Sequence, residues 1–493
     1  MMDKLKVCLI NDSFPPAIDG VANAVVNYGR IINSGLGNAS VVTPYYPDAD
    51  DSAFGFPVIR YPSIDMTRFV GYRAGIPFSA DVMRRLEGSH FDLIHSHCPI
   101  TSTLFARTLR ERLDVPIVLT YHTKFDIDIA NAVKSKRLQA EAAKLLVENI
   151  SACDEVWTVS RGAGDNLRKL GFTGKYTVVP NGVDLPRGRV SEAEIEAACD
   201  GYDLPGGVPV FLFVGRMMWY KGIRIILDAL AGLKSDGIDY RMVFIGGGGD
   251  RDDIVSASEK LGLNDRVFFI DPIRDRDVIR AWYCRADLFL FPSTFDTNGL
   301  VVREAAACGL ASVLVAGSCA AEDSTDGEDG FLIEENPQSM KQMLETLCSS
   351  PELMKKAGEK AVENLYISWE DAVKHAYGLY GAVIENYRSG SYPAHETPGD
   401  DLFRWASETM ENVSRRREFI QNVQSGFVDE QQRYHEDSEA DMEKMKKLIQ
   451  QSRYKLQSSI EDSQNKVRLE IESAKAAVKE KLDDISQFFD RYM

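Results

Sequence analysis

Short apolar runs alternate with amphipathic stretches along most of the chain. Leu5–Ile10, Ser40–Thr43, Asp92–His95, Pro116–Thr120, Glu155–Val159 and Thr177–Val179 read as strands, with helical periodicity at Ala22–Ile32 and Ser102–Leu113 between them. Short strands separated by helices of about ten residues predict βαβ units and a parallel sheet. The pattern then restarts. Val210–Val214, Arg241–Ile245, Val267–Ile270, Leu288–Phe291 and Ser312–Val315 read as strands, with a helix over Ile223–Leu233 and a glycine turn at Gly246–Gly249. Two successive doubly wound, Rossmann-like α/β domains are expected, joined near 185–205. Such pairs bind ligands at the carboxyl ends of their strands, in the cleft between domains. The boundaries expected are 1–190 and 191–365, with a helix over 366–388 returning to the first domain.

The Gly/Pro/Ser-rich stretch 389–400 reads as a linker. Beyond Gly426 neither Gly nor Pro occurs, so 401–493 is expected to be an amphipathic helical extension. Within it Leu456, Val467, Val478 and Phe489 recur every eleven residues, as do Ile460, Ile471 and Leu482. That repeat is close to a straight helix with a slight right-handed drift, suited to a coiled coil. The segment 441–493 holds about eleven basic and ten acidic residues. Self-association through 401–493 is the favoured expectation, and peripheral contact with a membrane surface the second.

Composition narrows the class. A chain of 493 residues with 44% hydrophobic and 27% charged residues is that of a globular protein of two or three domains. No run approaches the roughly eighteen apolar residues of a membrane span. The short run Val7–Ile10 reads as a first strand rather than a leader. Eight cysteines, scattered singly, suit a reducing cytoplasm better than a disulfide framework or zinc site. A formal charge of −17 argues against nucleic acid as a partner.

Three runs carry candidate chemistry. Arg216 follows one strand and Lys221 opens the next helix; two cations there suit a diphosphate, though they also suit an ordinary surface. The glycine turn Gly246–Gly249 permits close approach of a ligand, or simply a tight connection. Phe291 to Glu304 is the most informative. A strand ends at Phe291 and a helix starts near Asn298 or Gly299, so its first amides can donate to phosphate or sugar oxygens. Asp296 precedes the helix and can accept from sugar hydroxyls. Glu304 suits a vicinal diol, and the small residues Ala305–Gly309 beside it mean that its charge needs a partner.

The order FPPAIDGV, FDLIHSHCP, VLTYHT, CDEVWTVS, VVPNGVD, VGR…KG and Asp296-x7-Glu304, followed by CGL, Gly317, Glu322 and DGFLI, resembles the retaining glycosyltransferases of family 4, which have the GT-B fold. The resemblance spans about residues 4–387. It implies that Arg216 and Lys221 bind the donor diphosphate and that Glu304 holds the ribose hydroxyls. It also implies that Asp296, with the amides of Asn298, Gly299 and Leu300, holds the donor sugar, that Gly20 approaches the diphosphate, and that His122 lies near the reacting sugar. It implies no metal and no cofactor. The partners it implies are a nucleoside-diphosphate sugar and a lipid or saccharide acceptor. Two positions depart from the family pattern: Asp296 replaces the usual first Glu, and Asp19-Gly20 replaces a double glycine. The D-T-N-G-L form resembles the E-T-Q-G-L of bacterial glucosyltransferases acting on diacylglycerol, which favours UDP-glucose and a lipid acceptor.

Two other readings compete. A sugar-nucleotide epimerase can use the same fold. An assembly or membrane-adaptor protein can be built around the last helix. The segment Arg60–Pro77 is a candidate acceptor-side loop, and His95 and His97 read as loop or core residues.

Overall fold

The computed structural model describes residues 4–17, 19–65, 73–76, 80–126, 129 and 135–393. The extension 401–493, the linker from residue 394 and Met66, Phe69 and Tyr72 of the candidate loop lie outside the described residues. Both sheets belong to one compact unit; of the second unit, 78–84 with 398–493, only 80–84 are described.

The first sheet has seven strands in the order β3-β2-β1-β6-β7-β8-β9. They are β1 (Lys6–Ile10), β2 (Asn38–Pro44), β3 (Val58–Tyr61), β6 (Leu93–Ser96), β7 (Ile117–Tyr121), β8 (Glu155–Thr158) and β9 (Thr177–Val178), and every neighbouring pair is parallel. A small antiparallel pair, β4 (Ser63–Asp65) and β5 (Arg73–Gly75), follows β3. The helices are α1 (Gly20–Ile31), α2 (Ala80–Glu87), α3 (Thr101–Leu113), α4 (Lys136–Ser151) and α5 (Arg161–Lys169).

The second sheet runs β12-β11-β10-β13-β14-β15, again all parallel. Its strands are β10 (Val210–Val214), β11 (Arg241–Ile245), β12 (Val267–Ile270), β13 (Leu288–Phe291), β14 (Ser312–Val315) and β15 (Phe331–Ile333). Its helices are α6 (Glu192–Cys199), α7 (Ile223–Ser235), α8 (Arg251–Lys260), α9 (Arg276–Arg285), α10 (Leu300–Ala307), α11 (Pro337–Ser349) and α12 (Pro351–Asn364). The two predicted doubly wound sheets are therefore present. Central strands such as VFLFV and LFLF are apolar on both faces because helices cover both sides.

The last described helix, α13 (Trp369–Arg388), leaves the second sheet and packs on the first. Its Trp369, Val373, Ala376, Tyr380 and Val383 share a core with Val7, Leu9, Tyr28 and Trp157. In each sheet the strand order reverses beside the first strand, between β1 and β6 and between β10 and β13. The crevice at such a switch point is where open α/β sheets take ligands.

Candidate functional site

The loops after β10 and β13 meet at the second switch point. Gly222 makes this possible. It has φ of 77°, and a Cβ there would collide with the Pro292 carbonyl. The 3-10 turn Trp219–Lys221 therefore lies directly on the start of the Pro292–Asn298 run. Lys221 Nζ reaches Asp296 Oδ1 at 2.8 Å and Oδ2 at 2.6 Å, and Ser293 Oγ donates to Oδ2 at 2.8 Å. The pair sits among aromatic rings: Tyr220 lies 4.6 Å from Phe295 between centroids, and Lys221 lies 5.5 Å from the Phe291 ring. Arg216 is exposed on the same loop, with no ion partner among the described residues.

The glycine turn serves this loop. Gly246, with φ of 147°, and Gly248 lie where a Cβ would strike the carbonyls of Gly215 and Met217. The Gly215 N–H donates to Ile245 O at 3.0 Å and the Met217 N–H to Gly247 O at 2.8 Å. The glycines allow backbone to pack on backbone, and this packing fixes Arg216 between two anchored residues.

α10 starts at Leu300 with Gly299 in the left-handed region, φ 58°. Glu304 is one turn further on, its side chain 14% exposed. Arg276 Nη2 of α9 donates to Oε1 at 2.6 Å and the Tyr283 hydroxyl to Oε2 at 3.0 Å. Burial, and then the Glu304 charge, push the Tyr283 phenol well above its ordinary range. The partner that the small-residue surroundings of Glu304 demand is this arginine–tyrosine pair.

On the first domain, α1 begins at Gly20, where a Cβ would meet nothing within 4 Å. Asp19 caps the helix, accepting from Val21 N at 2.8 Å and Ala22 N at 2.7 Å. The departure from a double glycine thus puts a carboxylate at this helix start. His122, just beyond β7, is buried. Its Nε2 lies 3.0 Å from His97 Nδ1, and Asn181 Nδ2 lies 3.4 Å from its Nδ1. His95 stacks next in line, between the Tyr380 hydroxyl and Thr120 Oγ1 at 2.7 Å each. Burial pushes the His122 pKa down to about 3. Burial first, and then the neighbouring imidazoles, hold His97 well below its usual value.

The two domains meet around the run after β13. Lys124 Nζ donates to Thr294 O at 3.4 Å and Ser160 Oγ to Thr297 O. With its amide oriented to satisfy both neighbours, Asn298 donates to Val159 O and accepts from Asn181 N, each at 3.3 Å. Asn181 therefore touches both Asn298 and His122. Sequence reasoning missed Lys124, Ser160, Asn181, Arg276 and Tyr283. Ser160 has N-cap character ahead of α5, and Ser160 and Asn181 lie within the runs CDEVWTVS and VVPNGVD, but no role was attached to either.

Two doubly wound sheets, each with its switch point beside the first strand, have the architecture of the GT-B fold. Residues 18–187 match the family model described as Glycosyltransferase Family 4, and residues 196–364 match Glycosyl transferases group 1. The chain belongs to the GT-B glycosyltransferases of this group 1/family 4 type. It is similar to D-inositol 3-phosphate glycosyltransferase 2 of Catenulispora acidiphila, 29% identical over 322 residues, covering 62% of this chain and 74% of that one. It is 22% identical over 409 residues to the α-monoglucosyldiacylglycerol synthase of Streptococcus pneumoniae, covering 81% and 91%. Among solved structures, the sucrose-phosphate synthase of Thermosynechococcus elongatus superposes with a TM-score of 0.62 at 20% identity, covering 78% of this chain and 100% of that one. Anabaena HepE in complex with UDP and glucose superposes at 0.59 and 17%, covering 77% and 100%.

Proposed function

We propose that this chain is a retaining hexosyltransferase that moves glucose from UDP-glucose to a lipid or saccharide acceptor, without a required metal ion. The observation that carries the reading is the Lys221–Asp296 pair beside exposed Arg216, at the carboxyl edge of β10 and β13. Arg216 and Lys221 supply the positive charge that a departing nucleoside diphosphate requires. Lys221 pairs with both oxygens of Asp296; a diphosphate here would compete for the lysine and free the carboxylate for sugar hydroxyls. The amides of Asn298, Gly299 and Leu300 lie at the same helix start, and Gly20 leaves open space at the start of α1. Glu304, held in place by Arg276 and Tyr283, is the ribose ligand in this reading. His122 is uncharged and acts by hydrogen bonding near the sugar.

Glucose and UDP are favoured by the HepE complexes with UDP and with UDP-glucose, and a lipid acceptor by the α-monoglucosyldiacylglycerol synthases. An α-product from an α-linked donor is the outcome of retention. We place the protein in the cytoplasm, and a lipid acceptor would bring it to the inner face of the membrane. Among the described residues no helix is long and apolar enough to cross a membrane. The extension 401–493 is assigned to self-association, so a chain ended at residue 400 should form an oligomer of fewer copies by sedimentation; an unchanged number of copies with lost liposome binding would favour membrane contact instead.

The test is a thermal-shift panel of UDP-, GDP- and ADP-sugars, followed by turnover with the donor that binds. A ligand at about 100 times its dissociation constant stabilises by about 2.7 kcal/mol. Lys221→Ala and Glu304→Ala should each lower kcat/KM by about 100-fold or more, about 2.7 kcal/mol of transition-state stabilisation. Undiminished turnover in either variant removes that residue from the site. Epimerised sugar nucleotide formed with no acceptor present would replace transfer with epimerisation.

A further inference from the structure

Outside the donor site, one carboxylate of the second domain is gripped by a helix of the first. α5 starts at Arg161 with Ser160 as its N-cap, and Glu322 occupies its first amides. Arg161 N–H donates to Glu322 Oε1 at 2.7 Å and Gly162 N–H to Oε2 at 2.8 Å. The Arg161 guanidinium reaches the Glu322 carbonyl at 2.7 Å and Asp323 at 3.3 Å. An anion at a helix start is the favoured charge there, and both of its oxygens are used.

The same helix start holds the loop that precedes α10. Ser160 Oγ accepts from Ala163 N at 2.9 Å and donates to Thr297 O, while Asn298 bridges to Val159 and Asn181. The Glu322 segment supports that loop from its other side: a Cβ on Gly299 would lie 3.1 Å from Ala320 Cα. Residues 297–299 are thus held between elements of both domains, and Glu322 is the charged anchor of that grip.

We propose that Glu322 is a positioning residue: seated on the Arg161 and Gly162 amides, it latches the loop 297–299 to the first domain in the arrangement that receives the donor. The latch stands on its own geometry, and its meaning for transfer rests on the donor site proposed above. Donor affinity scales with the fraction of molecules in the latched arrangement. Losing the carboxylate lowers that fraction without touching any group that contacts the donor.

Gly162 provides a direct readout. A Cβ at this position would overlap Cys319 Sγ, so that side chain must rotate, and would lie 3.1 Å from Cys319 Cβ, closer than the about 3.8 Å across a disulfide. A cysteine at 162 can therefore bridge to Cys319 after a small shift, and only when the domains are latched. The experiment uses the full chain carrying Gly162→Cys, with and without Glu322→Ala, in a glutathione redox buffer without donor. Formation of the 162–319 bridge is followed by mass spectrometry. Glu322→Ala should slow bridging by about fivefold or more and, in the chain without the added cysteine, weaken UDP-sugar binding by about tenfold, as expected for a depopulated competent state. Closing the bridge in the double variant should restore that affinity. If Glu322→Ala destabilises the fold in a thermal melt, Glu322→Gln takes its place. Equal bridging rates overturn the latch. Slowed bridging with unaltered donor affinity, or lost affinity that the closed bridge does not restore, overturns the positioning role. If the parent chain binds no nucleotide sugar, the donor reading fails, while the bridging rates still decide the latch.

Discussion

Three histidines lie in a buried row, His95, His97 and His122, and their titration has a sign that can be worked out. Burial holds the His122 imidazole down to about 3, and burial with a neighbouring imidazole holds His95 well below its usual value, as it does His97. The unfolded chain takes up protons at these positions below about pH 6.5, whereas the folded chain does not. Their contribution to stability is therefore complete above about pH 6.5 and is lost as pH falls toward the folded values. Each adds a slope of up to about 1.4 kcal/mol per pH unit in that window. Denaturant unfolding between pH 7.5 and 5.5 should show stability falling with acid, and His122→Asn should flatten the dependence by close to one proton. An unchanged slope in that variant would mean that His122 is charged in the fold. At this scale the sequence was informative about need rather than partner. The small residues after Glu304 signalled that its charge required a counterpart. Nothing in the spacing pointed to Arg276 and Tyr283, because those contacts are made between helices only after β13 and β14 are aligned.

Elements reinforce one another across chain positions that no local pattern connects. α3 has Ile100 at its N-cap and no capping side chain of its own. Asp12, beyond the end of β1, supplies the cap: it accepts from Thr101 N at 3.0 Å, Ser102 N at 2.7 Å and Ser102 Oγ at 2.6 Å. Asp12→Ala would leave the buried Ser102 amide and the half-buried Thr101 amide without their acceptor, a cost of about 2–4 kcal/mol from unsatisfied donors and the lost cap. The melting temperature of Asp12→Ala should drop by several degrees, with Asp12→Asn intermediate because one acceptor oxygen remains. A melt matching the parent would show that water replaces the carboxylate. Strand positions were the most legible part of the fold: β10 to β14 were recovered to the residue, since fully apolar runs bounded by polar turns have few alternatives. β3 and β15 were not. β15 is three residues long, and the start of the Arg60–Pro77 segment, read as a loop, begins inside β3. Each is a short edge strand with only two buried residues, Ile59 and Tyr61 in β3 and Phe331 and Ile333 in β15, too few to set up a recognisable alternation.

At the level of the whole molecule, the two sheets are joined by a crossing and a return. The chain passes to the second sheet after Val183 and comes back at Ser368, and these two residues pair as a parallel bridge. Gly182 lies where a Cβ would strike the Trp369 backbone, so both crossings run as one strap. The return helix α13 then completes the first sheet's core. Trp369, Val373, Ala376, Tyr380, Val383 and Ile384 are buried in it, the Tyr380 hydroxyl meets His95, and the Tyr377 hydroxyl accepts from Leu5 N at 2.9 Å. Burying each large apolar side chain stabilises by about 1.5–3 kcal/mol. Removing the helix therefore forfeits an amount comparable with the 5–15 kcal/mol that typically separates a folded domain from its unfolded chain. A chain ended at Asn364 should lose the fold of its first domain, although residues 4–187 are all present. It should show a reduced unfolding enthalpy by calorimetry and protease cutting confined to the first domain, with the second sheet protected. A chain ended at residue 393 keeps α13 and should retain both transitions at the parent's temperatures. If the shorter chain instead melts as the longer one does, the first sheet carries its own stability and α13 only connects the two domains.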